Sequence, residues 1–381
     1  MSTSVLVLGA GFGGLELTTQ LSDTLLGDVE ITLIDKSESF IFGFSKFDIM
    51  FGKNTLDGVK SYYRDIVKTG VTFRQELITG IDAAARRVTT DRGTYEADIL
   101  VIALGADYDI DATLGLREGG NEFYSMEGVL KLRDVLPTFT AGRVIIGVMG
   151  EPFKCPPAPS EAAMLLDEYL TERGVRSHVE ISIVFPFGRP IPPSPEGSKA
   201  ILDRFAEGHI RFIGDQVIAR LDPARKVALL RDGSEMPYDL FLGVPIHRAP
   251  EVVRLSGLAD GGWIPVDKVS LATRFPGVYA VGDVTSAPVP KAGVFAESAG
   301  RTAAEHIIAK LRNGAAPAPF DGAGTCYVEF GGGRVGRVDA DFLGGPSPTA
   351  PFMGPTPATA QEKKDFGVSR RKRWFGYEPQ A

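Results

Sequence analysis

At 381 residues, 44% of them hydrophobic and 23% charged, the chain has room for two or three domains and can bury a sizeable core, which excludes a disordered, collagen-like or disulfide-framework protein. Its 41 basic and 48 acidic residues leave a net charge of -7, so the surface as a whole lacks the basic field that nucleic acid needs, and no nucleic-acid partner is expected. Two cysteines, Cys155 and Cys326, cannot staple a fold of this size and are expected to matter for their chemistry.

In chain order, residues 2–4 carry no basic cluster and residues 5–8 run straight into glycines, so no secretory leader is read and a cytoplasmic location is expected. No stretch of about 18 apolar residues exists to form a membrane-spanning helix. Residues 5–8 are strand-like and feed Gly9-Ala10-Gly11-Phe12-Gly13-Gly14, a GxGxxG turn that opens a helix-like run over 13–24. A second strand-like run over 31–34 ends in Asp35, 21 residues after Gly14. In that context Gly9 makes the tight turn, Gly11 lets the backbone approach a pyrophosphate, and Gly14 lets helix pack on strand. Asp35 would take ribose hydroxyls, and its neighbour Lys36 is grouped with it as a cofactor contact. The turn therefore predicts a dinucleotide site, and by itself leaves NAD and FAD open.

Residues 99–103, 144–148 and 181–185 are further strand-like runs and residues 161–173 a helix-like one, an alternation that predicts an α/β protein with parallel sheets. A second glycine-rich turn would be expected after the strand-like residues 142–150. The chain reads instead Glu151-Pro152-Phe153-Lys154-Cys155-Pro156-Pro157-Ala158-Pro159-Ser160-Glu161, whose four prolines remove N–H donors and whose bulk blocks close approach of a pyrophosphate. NAD(P)H binding there is not expected. Residues 275–283 form a strand closing on Gly282-Asp283, with a helix-like run over 292–311 after a loop, and the Gly/Pro-rich residues 331–360 are expected to be irregular rather than helical.

Residues 275–283 resemble the second FAD signature of the flavoproteins with two dinucleotide folds, and residues 98–106 resemble their connecting segment. That resemblance implies FAD and makes Ala103, Gly105, Gly282 and Asp283 cofactor contacts. The segment Lys154-Cys155-Pro156-Pro157-Ala158-Pro159-Ser160-Glu161-Ala162-Ala163 resembles the surroundings of the first redox cysteine of the sulfide:quinone oxidoreductases and of the flavoprotein subunit of flavocytochrome c sulfide dehydrogenases. Gly324-Thr325-Cys326-Tyr327-Val328-Glu329-Phe330 resembles the surroundings of their second. The resemblance implies two Rossmann-like domains of the glutathione-reductase type plus a Gly/Pro-rich C-terminal segment. Residues 1–107 and 264–320 would be the FAD domain, 108–263 the second domain with a degenerate NAD site, and 321–381 the segment carrying the second redox cysteine and a membrane or quinone contact. It further implies a Cys155/Cys326 pair that oxidises sulfide or a related small thiol or persulfide, with electrons passing to FAD and then to quinone. No further cysteine is present to attach the flavin, so FAD is expected to be non-covalent. Two other readings stay open: a flavocytochrome-like protein acceptor, and a flavin/dithiol redox sensor without turnover. Oligomeric state is not legible.

Glu161, six residues after Cys155, is read in two ways, as the carboxylate that shuttles a proton at the sulfur site and as an acid favoured by a helix N-terminus. Lys291 likewise reads as a cation that, with the following helix N-terminus, stabilises negative charge on the reduced flavin, or as a surface lysine. His178, His209, His247 and His306 have no metal-ligand spacing, and no metal is predicted. Residues 369–377 are basic with Trp374, Phe375 and Tyr377 interleaved, which suits a membrane surface where quinone is available and equally suits a segment packed on its own protein. Phe330 and Phe352 are candidates for a quinone pocket from their late, Gly/Pro-rich position alone.

Overall fold

A computed structural model describes residues 2–376. The chain opens with β1 (Thr3–Leu8), α1 (Phe12–Leu25) and β2 (Val29–Asp35), and continues through the short α2 (Ser45–Met50) to β3 (Val71–Gln75) and β4 (Ile99–Ile102). A second series follows: β5 (Gly142–Val148), α3 (Ala158–Glu172), β6 (Val179–Val184), β7 (Ile210–Ile213) and β8 (Leu240–Val244). The chain then returns through β9 (Val278–Ala280) and α4 (Gly293–Leu311). The described part ends with β10 (Ala323–Gly331), β11 (Arg334–Asp341), β12 (Phe352–Thr356) and α5 (Pro357–Phe375).

Two parallel five-stranded sheets result. The first has the order β9-β4-β1-β2-β3, and the second places β8, β5, β6 and β7 in that order beside the short edge strand Asn121–Glu122. Strands β1, β4 and β5 are near-continuous apolar runs because both faces of each parallel sheet are covered, by helices on one side and by a small antiparallel sheet on the other. β9 pairs with β4 only after the whole second sheet has been built, so Gly282 and Asp283 arrive beside the first turn from far along the chain.

Residues 331–360 correct the expectation of irregular structure. β10, β11 and β12 form an antiparallel sheet, and α5 begins at Pro357. Glycines and prolines mark the tight connections, while Gly336, Val338 and Ala340 alternate inward along β11. Proline also suits the first turn of a helix, where its missing N–H would have no partner, and Thr356 caps that turn through Thr359 N–H.

The basic, aromatic tail packs on its own protein. Trp374 and Phe375 are 1% and 0% exposed, so neither is offered to a membrane surface. Trp374 Nε1 donates to Glu16 Oε2 at 2.8 Å, and Arg373 reaches Glu16 Oε1 at 2.9 Å. Arg301 of α4 pairs with the same fully buried carboxylate at 3.3 Å, and Arg370 pairs with Glu297 at 3.2 Å. The Trp374 ring meets Phe12 and Phe40 edge-on at 5.4 and 5.5 Å, which ties α5 to the residue that follows Gly11. Tyr377 lies outside the described residues. Among the described residues no helix is long and apolar enough to cross a membrane.

Candidate active site

The glycine turn is built as the sequence requires. Gly9 holds φ at +98°, and a Cβ on it would lie 2.4 Å from Ala103 O; one on Gly14 would lie 1.9 Å from Gly9 O. Gly11 has nothing within 4 Å of where a Cβ would stand, and it opens onto a cavity of 310 Å³. Ala103, Gly105, Gly282 and Asp283 line the same cavity, which brings together three motifs far apart in the sequence. Asp35 stands at the end of β2 outside that wall, its two carboxylate oxygens accepting Ala10 N–H and Ser37 N–H at 2.8 Å each, and Lys36 beside it is exposed. The open backbone at Gly11, with the start of α4 at Gly293 packed against the neighbouring Phe12, fits the pyrophosphate of a dinucleotide.

Cys155 and Cys326 are 171 residues apart in sequence and line this cavity together. Both also line a second cavity of 730 Å³, which is walled by apolar residues including Pro190, Pro192, Phe295, Val338 and Phe342. The two thiols therefore stand at a partition between two spaces. Cys155 sits in the left-handed region at φ +50°, a conformation that a side-chain-bearing residue adopts at a cost of roughly 1–3 kcal/mol. Its neighbours hold it there. Cys155 N–H donates to Lys291 O at 2.7 Å, its carbonyl accepts Ala158 N–H at 2.8 Å, and Tyr124 Oη donates to Lys154 O at 2.9 Å. Cys326 lies within β10, opposite Val338.

Both thiols are free and protonated at neutral pH. Cys155 is exposed to the cavities it lines, and desolvation pushes its thiol well up, with the Glu161 carboxylate and Cys326 adding to the effect. Burial, then Glu161, pushes Cys326 up to about 12. Glu161 is 3% exposed on α3 and accepts Glu329 N–H at 3.0 Å; burial raises its carboxyl to about 7. Glu161 stands in the first turn of α3 and is buried beside the thiols, a placement that suits both of its sequence readings.

That raised value has a stability consequence. Below the usual carboxylate value of 4.5, Glu161 is neutral in both the folded and the unfolded chain; as pH rises toward 7 the unfolded chain ionises first, so the folded state loses stability across that window. Glu161→Gln keeps the acceptor for Glu329 N–H without the charge. The stability of the variant relative to the parent should therefore rise by on the order of 2 kcal/mol between pH 5 and pH 8, as read by urea unfolding. A difference independent of pH would mean that Glu161 ionises as it does in water.

Lys291 is buried, which sets aside the surface-lysine reading. Its Nζ donates to Asp283 O at 2.6 Å and Thr285 O at 3.2 Å, lies 3.3 Å from the centre of the Trp263 ring, and is pushed down to about 8 by burial. It lines the larger cavity, not the one reached by Gly11. Phe330 and Phe352 line neither cavity; Phe330 is 1% exposed in the core, and Phe44, Tyr327 and Phe366 stand at the smaller cavity instead. His247 is a core residue bonded to Pro245 O, and among the described residues no group could hold a metal ion. Sequence reasoning missed Lys46 and Lys154, which line the smaller cavity, and the tyrosines Tyr108 and Tyr124 that support them. Lys46 Nζ donates to Tyr124 O, and Lys154 Nζ to Ala106 O at 2.7 Å. Only the adjacency of Lys154 to Cys155 could have signalled them.

Residues 3–305 match the family Pyridine nucleotide-disulphide oxidoreductase. The chain belongs to that family. It is an oxidoreductase, and the proteins of this family are FAD-binding flavoproteins. Among curated relatives, the mitochondrial sulfide:quinone oxidoreductase of Mus musculus is 24% identical over 363 residues, covering 91% of this chain and 80% of the relative. A type II NADH:quinone oxidoreductase of Staphylococcus epidermidis is 37% identical over 131 residues, covering 34% of this chain and 32% of the relative. The crystal structure of the sulfide:quinone oxidoreductase from the hyperthermophilic bacterium Aquifex aeolicus has the same fold, with a TM-score of 0.86 at 24% identity over 98% of this chain and 92% of that one.

Proposed function

We propose that this flavoprotein oxidises sulfide, or a related small thiol or persulfide, at Cys155 and Cys326 and delivers the electrons through FAD to quinone. The observation that carries the proposal is the meeting of two distant cysteines at one partition, with a buried carboxylate near neutrality beside them. Gly11, Ala103, Gly105, Gly282 and Asp283 would hold the cofactor, and bound FAD supplies a two-electron acceptor at this site.

The residues supply nucleophile, base and resolving partner. With the pair oxidised to a disulfide, a hydrosulfide anion attacks one sulfur: one S–S bond forms, the cysteine S–S bond breaks, and one cysteine is left as a persulfide while the other leaves as a thiolate. The persulfide proton passes to Glu161. A base is needed because thiols raised this far do not ionise at neutral pH unaided. Joining the persulfide and the thiolate through the added sulfur gives up two electrons, which bound FAD would accept, and leaves the pair oxidised for the next attack.

Quinone as acceptor is supported by the names of both sets of relatives, the sulfide:quinone and the NADH:quinone oxidoreductases. Sulfide as donor is supported by the cysteine pair, and by the prolines and apolar wall that follow β5 where a glycine-rich turn would hold NADH. The local likeness to the type II NADH enzymes favours NADH as a second reading. An anaerobic titration separates the two: sulfide alone should bleach the flavin, a soluble quinone should restore it, and NADH or NADPH in a parallel cuvette should do nothing. Bleaching by a pyridine nucleotide alone would overturn the assignment of the donor. Heat denaturation should release the flavin into the supernatant.

A further inference from the structure

The C-terminal helix sends one charged group toward the sulfur site. Lys363 of α5 is 8% exposed, and its Nζ pairs with Glu329 Oε1 of β10. The backbone N–H of the same Glu329 donates to Glu161 Oε1 at 3.0 Å. Three elements therefore converge: α3 brings the carboxylate, β10 its hydrogen-bond donor together with Cys326, and α5 the cation. The Lys363 ammonium also lies 4.8 Å from the centre of the Phe44 ring, which lines the smaller cavity and fixes the lysine from the other side. The remaining titratable groups around Glu161 are Cys155 on the loop before α3 and Tyr124 before the helix Met126–Val135; beyond the ion pair stands Asp48 of α2, with Lys53 outside it.

We propose that the Lys363–Glu329 ion pair is a positioning device that sets the protonation of Glu161, so that docking of the C-terminal helix poises the cysteine site. The two members act in opposite directions. The ammonium stabilises the Glu161 carboxylate and holds its proton affinity down, whereas the Glu329 carboxylate raises it. The balance leaves Glu161 able both to accept and to release a proton near neutral pH, which neither a lone buried acid nor an acid in a direct salt bridge would do. The proposal rests on Glu161 serving the dithiol chemistry, but its test does not need turnover.

The measurement is an infrared pH titration of the flavin-loaded protein, following the carboxylic-acid carbonyl band that disappears in Glu161→Gln. The parent should titrate near pH 7. Lys363→Gln should move the midpoint up by about one pH unit, and Glu329→Gln should move it down by a similar amount. Lys363→Arg, which keeps the charge, should stay near the parent and shows that the helix still docks. Midpoints that stay fixed, or that move in the same direction in both Gln variants, overturn the proposal. The pH profile of sulfide-dependent bleaching should follow the infrared midpoints. Infrared shifts of the predicted signs in a protein that sulfide does not bleach would leave the tuning intact and sink the proposed function instead.

Discussion

Cys155→Ser should leave a yellow, flavin-bound protein whose bleaching by sulfide is slower by about three orders of magnitude or more. The flavin should stay because Gly11, Ala103, Gly105 and Gly282 belong to segments that the substitution does not touch. The loss should be large because a hydroxyl can neither form a disulfide with Cys326 nor carry a persulfide, and no other cysteine exists in the chain to take its place. The backbone at residue 155 is held by Lys291, Ala158 and Tyr124 whatever the side chain, so the variant tests chemistry rather than folding. Stopped-flow absorbance under anaerobic conditions reads the outcome, and a rate near that of the parent would remove the cysteine pair from the mechanism.

Glu16→Ala should lower the unfolding free energy by about 3 kcal/mol and loosen α5. The carboxylate is 0% exposed and takes hydrogen bonds from Arg373 and Trp374 while pairing with Arg301. Removing it leaves a buried indole N–H without a partner, and breaking a buried ion pair costs roughly 3–5 kcal/mol in general. The lower end applies because Arg301 and Arg373 are 47% and 38% exposed and keep access to water. Urea unfolding gives the magnitude, and protection of the α5 amides against hydrogen exchange shows where the loss falls. A change below about 0.5 kcal/mol would mean that the aromatic contacts of Trp374 hold the helix without the carboxylate.

The first strand, turn, helix and second strand were legible because their physics is local: a strand, a glycine whose φ is positive, a helix and an acid at fixed spacing can be read within 35 residues. The two cysteines were legible as a pair by resemblance, yet their setting was not. The larger cavity takes its wall from residues between Glu151 and Ala350, and no window of sequence shows that such residues meet. α5 was missed because it is held by ion pairs and two terminal aromatics rather than by an apolar stripe along one face. The burial of Lys291 was not legible, because its ammonium is held by two carbonyls and an indole from residues up to 28 positions away.

The bond between Trp374 and Glu16 joins residues 358 positions apart. At a synthesis rate of about 5–20 residues per second, α1 emerges from a ribosome roughly 20–70 s before the helix that covers it. Throughout that interval Phe12, Phe40 and Phe42 lack the Trp374 ring and Glu16 lacks Arg373 and the indole N–H. The nascent chain is thus sticky beside its glycine turn for most of its own translation.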